Sequence, residues 1–106
     1  MNADVLLDEM VKRVKSVLSP DKIILFGSRS RGDAGQKSDY DLLVVVESGQ
    51  PRHRRSALAY TALADLPAEV DIMVYTPSEV DEWRDVPEAF VSTALREGTV
   101  LYERQV

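Results

Sequence analysis

The chain has 106 residues, 44% of them hydrophobic and 29% charged, with no cysteine and one histidine. That suffices for the core of one compact domain and leaves no donors for a disulfide framework, a zinc knuckle, a thiol nucleophile or a histidine cage. The net charge of −5 is opposite to that of a domain gripping nucleic acid through its phosphates, so no direct nucleic-acid binding is expected.

Taken in chain order, residues 3–18 carry Leu6, Leu7, Met10, Val11, Val14, Val17 and Leu18 at helical spacing, which predicts a helix with one buried face. Ser19-Pro20 ends it, because proline lacks the amide and disfavours helix at the residue before it. Residues 22–26 form a short β-rich run broken by Gly27-Ser28. A polar stretch, 29–38, leads into 39–46, where Leu42-Leu43-Val44-Val45-Val46 is uninterrupted. A run that is apolar on both faces predicts a central strand covered on both sides.

After Ser48-Gly49-Gln50-Pro51 a second helical pattern runs to about Asp65, with Leu58, Ala62 and Leu66 on one side. Residues 68–75 make a third strand, apolar around Asp71. Thr76-Pro77-Ser78-Glu79 matches a capping box with proline at the first helical position. Asp85-Val86-Pro87-Glu88 offers a second box ahead of a helix whose Phe90, Val91, Ala94 and Leu95 share a face. Gly98 is placed to cap that helix, and 99–102 forms a last strand. Helices alternating with strands predict an α/β (α+β) architecture: a small mixed sheet flanked by helices, one domain over 1–106. No apolar run is long enough for a membrane span, and Met1-Asn2-Ala3-Asp4 lacks the start of a signal peptide, so a cytoplasmic protein is expected.

Two features carry chemistry. At Gly27-Ser28 a strand ends in a residue that lets consecutive amides point at one anion, and the Ser28 hydroxyl adds a donor for a phosphate oxygen. Gly-Ser is also an ordinary β-turn. At Asp39-Tyr40-Asp41, strand alternation sends both carboxylates to one face and Tyr40 to the other. Two adjacent carboxylates repel unless protonated or bridged by a cation, and Mg²⁺ is often held by one or two carboxylates with substrate phosphates. A solvated acidic pair at a strand entrance is the competing interpretation. Asp71 adds a third acid within an apolar run, where an ionised carboxylate needs a partner or a metal if buried; an exposed edge strand or an arginine partner would also account for it. If the third strand neighbours the central one, all three acids converge. Three acids facing a phosphate-binding turn are the minimum equipment for metal-assisted phosphoryl transfer.

Phe26-Gly27-Ser28-Arg29-Ser30-Arg31-Gly32, followed by Ser38-Asp39-Tyr40-Asp41-Leu42, resembles the nucleotidyltransferase signature of the DNA polymerase beta superfamily. The nearest resemblance is to the minimal nucleotidyltransferases of bacteria and archaea (MntA-like), over nearly the whole chain, with Val70-Asp71-Ile72 at the third acid and Arg96-Glu97-Gly98 and Leu101-Tyr102 near the end. The resemblance implies a Mg²⁺-dependent enzyme, with two ions, that uses ATP. It also implies an antitoxin that transfers AMP to a tyrosine hydroxyl of an all-helical HEPN-type ribonuclease toxin. By the same resemblance Gly27, Ser28 and Arg29 hold the triphosphate, Asp39 and Asp41 bind metal, and Asp71 shares a metal and helps remove the acceptor proton.

Arg29, Arg31 and Lys37 flank the Gly-Ser turn and would neutralise departing pyrophosphate, a role suited to arginine's planar fork of donors, or remain solvated loop charge. Asp33 would either join the metal site or keep the loop soluble. The basic run Arg52-His53-Arg54-Arg55 would contact an acidic partner or lie in solvent, and His53 has no acid partner in sequence. Trp83 would dock on a partner or lie at the core's edge. Two other functions compete with the protein-modifying enzyme. One is a module that masks its toxin without chemistry. The other is a small-molecule nucleotidyltransferase, whose additional helical acceptor domain has no counterpart in 106 residues.

Overall fold

The computed structural model describes residues 2–27 and 39–105. Helix α1 (Ala3–Leu18) starts where the Asn2 side chain accepts the Val5 amide at 2.9 Å, with Asp4 favourably placed in its first turn. It stops at Ser19, which takes a left-handed conformation (φ 51°) and donates its amide to Lys15, ahead of Pro20 as the sequence requires. The remaining elements are β1 (Lys22–Phe26), β2 (Tyr40–Val45), the short helices α2 (Arg52–Arg55) and α3 (Ala57–Leu63), β3 (Val70–Tyr75), α4 (Pro77–Trp83), α5 (Phe90–Glu97) and β4 (Thr99–Glu103).

The four strands form one mixed sheet in the order β3-β2-β1-β4. Strands β2 and β3 are parallel, joined by the crossover that carries α2 and α3, and the other two pairings are antiparallel. Side-chain parity divides the core between the two faces. Ile23, Leu25, Tyr40, Leu42, Val44, Ile72 and Val74 pack with Leu6, Met10 and Val14 of α1 and Ala59 and Leu63 of α3. Ile24, Leu43 and Val45 pack on the opposite face with Val80 of α4 and Val91 and Ala94 of α5. Leu42, Leu43 and Val44 are fully buried, as expected of a strand covered on both sides.

Three expectations change in detail. The second helix breaks at Ser56 into α2 and α3, and its buried face is Ala59 and Leu63, with Leu66 just beyond. Leu58 is 60% exposed, because the crossover turns the face one residue on from it toward α1. The capping box at Thr76 forms with both reciprocal bonds, but the one expected at Asp85 does not. Helix α5 begins at Phe90 behind Ala89, with no side-chain cap, since Phe90 is where this segment first gains apolar packing. Gly98 caps α5, its amide donating to Ala94 at 2.9 Å, in an extended rather than left-handed conformation. Glycine is required there for space: a Cβ would overlap the Ala94 carbonyl and the Ile24 side chain on β1.

Candidate active site

Strand pairing assembles the acids. Asp41, the second residue of β2, lies opposite Phe26 on β1 and opposite Asp71 on β3. Asp71 is thus beside Asp41 on the neighbouring strand, projecting from the same face. Asp39 stands two residues ahead of Asp41, half-buried, while Tyr40 between them is buried in the α1-side core. The two strands are neighbours, as the expected convergence required, and this places Asp71 beside Asp41. The ground for it is different, however. Strand β3 is an edge strand and Asp71 is exposed, so parallel register, not the penalty of a buried charge, holds Asp71 in place.

Asp41 is the central group. Burial, the charge of Asp71 and the charge of Asp39, in that order, push its carboxyl above the ordinary carboxylate range. The chain then passes directly over it. Gly27, with φ +79°, holds its backbone so close that a Cβ would sit 2.5 Å from Asp41 Oδ2. Both the left-handed conformation and this approach demand glycine. Phe26, the partner of Asp41 across the β1–β2 pair, stacks edge to face on Phe90 at 4.8 Å, and Phe90 in turn meets Tyr75 at 6.0 Å.

The donor set suits a hard divalent cation: carboxylate oxygens whose mutual repulsion is already expressed at Asp41. Among the described residues no group of three or more His, Asp or Glu side chains is gathered into a ready-made cage. A cation that takes one or two carboxylates and completes its shell with phosphate oxygens needs none. Ser28 and Arg29, with Arg31, Asp33 and Lys37, lie outside the described residues.

The basic run 52–55 has an internal task. Arg55, its side chain 10% exposed, donates to Glu79 at 2.6 and 3.3 Å and to the carbonyls of Gln50 (2.9 Å) and Val74 (3.3 Å). Arg52 also reaches Glu79, at 3.4 Å, and lies 4.4 Å over the Tyr75 ring. The Arg55 guanidinium pulls Glu79 down to about 2. His53 and Trp83 are exposed. A cavity of about 390 Å³ at the other end of the sheet, between α4, α5 and β4, has its cations already matched: Lys22 with Glu103, Arg104 with Asp21 and Arg84 with Asp81.

One residue on the site's face drew no attention in the sequence. Met73 shares the parity of Asp71 and is 42% exposed; the two-residue spacing from Asp71 was the signal that marks it.

Several solved structures share this fold. A toxin–antitoxin crystal structure with AMP-PNP superposes with a TM-score of 0.68 at 22% identity, covering 93% of this chain and 74% of that one. A structure described as a putative nucleotidyltransferase from Sulfolobus solfataricus gives 0.67 at 23% identity, covering 94% and 79%. The MntA–HepT toxin–antitoxin gives 0.63 at 18%, covering 96% and 74%. None of the curated proteins matches the sequence. A family model described as the nucleotidyltransferase domain matches residues 7–103, the span from within α1 to the last residue of β4 that contains Gly27 and all three aspartates; the chain belongs to the nucleotidyltransferase domain family.

Proposed function

We propose that the chain is a Mg²⁺-dependent nucleotidyltransferase that moves AMP from ATP to a tyrosine hydroxyl of a HEPN-type toxin, and that it acts as the antitoxin of that pair. The observation that carries the chemistry is Asp41, flanked by Asp39 and Asp71 and overlain by the Gly27 backbone. The partner and the nucleotide are supported by the similar folds solved as toxin–antitoxin complexes, one of them with AMP-PNP.

Asp39, Asp41 and Asp71 would hold the divalent ions, which supply charge neutralisation for the phosphates and a lowered pKa for the acceptor hydroxyl. The Gly27 backbone, Ser28 and Arg29 bind the triphosphate and hold the α-phosphate against Asp41. The acceptor oxygen forms a bond to the α-phosphorus as the bond to the β-phosphate-bearing oxygen breaks, and pyrophosphate leaves. Asp71, exposed at the edge strand, receives the hydroxyl proton. Its open position suits it to a substrate that arrives as part of another protein.

The test is label transfer. The chain, co-expressed with a HEPN-type partner, is incubated with Mg²⁺ and ATP labelled at the α-phosphate, and the proteins are resolved by mass. Label on the partner, lost when Asp39→Asn and Asp41→Asn are combined, is the expected outcome. A stable complex that never takes label, or full neutralisation by the double variant, would replace catalysis with masking by binding alone.

A further inference from the structure

The exposed face of β3 carries a second message beside the aspartates. From Asp71 the same face continues to Met73 and Tyr75, each step about 6.6 Å along the strand. Met73 lies opposite the fully buried Leu43, yet is itself 42% exposed. Tyr75 is held in place beyond it by Phe90 and by the Arg52 guanidinium. An apolar, flexible side chain is thus left open to solvent one step from a carboxylate of the site, with a fixed aromatic ring on its far side.

We infer that Met73 is the specificity-determining residue for the acceptor, seating the ring of an aromatic hydroxyl so that its oxygen reaches the Asp41–Asp71 pair. This rests on the nucleotidyl-transfer function proposed above. Direction of approach assigns Met73 to the acceptor. The phosphate-binding backbone at Gly27 overlies Asp41 from the β1 side, so pyrophosphate leaves toward β1. In-line displacement then brings the nucleophile from the opposite side, where β3 is the edge. A thioether packs favourably on an aromatic ring, and a hydroxyl carried on a ring can touch Met73 while its oxygen is one strand step away, at Asp71. A serine or threonine hydroxyl, one bond from Cβ, cannot do both.

The experiment compares wild type, Met73→Leu and Met73→Ala in the label-transfer assay, varying the partner at saturating ATP and then ATP at saturating partner. Because Met73 is exposed, unchanged melting temperatures should show that both variants fold. Met73→Ala is expected to raise the KM for the partner about 3- to 10-fold, with ATP KM unchanged, and Met73→Leu to recover most of the loss. A rise in ATP KM instead would move Met73 to the nucleobase and overturn the assignment, as would no change in either constant while wild type labels its partner. If wild type itself transfers no label, nucleotidyl transfer fails and this inference fails with it.

Discussion

Gly27 and Asp41 constrain each other tightly. Replacing Gly27 with alanine would force a left-handed φ of +79° on a residue with a Cβ and drive that Cβ into Asp41 Oδ2. The backbone alone costs about 1–2 kcal/mol, readable by chemical denaturation, and nucleotidyl transfer should fall at least 100-fold because Asp41 must move. Asp41→Asn should do the reverse to stability. An acid whose folded pKa is raised penalises the folded state at pH above that pKa, so stability falls as pH climbs through the range upward from 3.8. Removing the charge should raise the melting temperature at pH 7 in metal-free buffer, while transfer is lost. The shared face of Asp41, Leu43 and Val45 was legible from spacing, since alternation in a strand needs no tertiary knowledge. Asp71 was legible only as a third acid. Its exposure goes with β3 being an edge strand, and an apolar run such as Val70–Tyr75 looks alike in the middle of a sheet and at its edge.

At the scale of elements, the crossover between the two parallel strands serves as a brace along the open edge of β3. Tyr60 Oη accepts the Ile72 amide at 2.8 Å and Arg55 donates to the Val74 carbonyl at 3.3 Å, so two backbone groups on that edge are already occupied. Glu79 ties the brace to α4: it accepts from Arg55 and Arg52 and from the Thr76 amide at 2.9 Å. Its pKa lies at about 2 against an ordinary 4.5, a depressed acid. The stability it contributes is therefore complete above pH 4.5 and drains away as pH falls toward 2. Melting temperature against pH should show this slope in wild type and lose it in Glu79→Gln, which keeps the capping contact but not the charge. Tyr60→Phe should cost about 1 kcal/mol by removing the acceptor for the Ile72 amide. The capping box at Thr76 could be read in advance because cap and acceptor lie three residues apart. The partners of Glu79 could not, for Arg55 is 24 residues away and, within a run of four basic residues, resembles solvated charge until the fold closes over its side chain.

Over the whole molecule, the sheet separates the work of folding from the work of the site. The even-numbered side chains of β2 are committed to the core under α1, whereas the odd-numbered ones run from Asp41 to the covered Leu43 and Val45. The acids thus sit at one end of a single face whose other end is sealed by α4 and α5. A fold arranged this way keeps a cluster of like charge at the cost of some stability, and a ligand that neutralises the cluster should return it. Mg²⁺ with a non-hydrolysable ATP analogue at 100 times its Kd should stabilise wild type by about 2.7 kcal/mol, several degrees in a domain of this size. Chelation should reverse the gain. The Asp39→Asn, Asp41→Asn double variant should start higher than wild type and gain little, because it has neither the repulsion to relieve nor the carboxylates to bind the cation. Equal gains in the two proteins would separate nucleotide binding from the aspartates and move the candidate site elsewhere on the sheet.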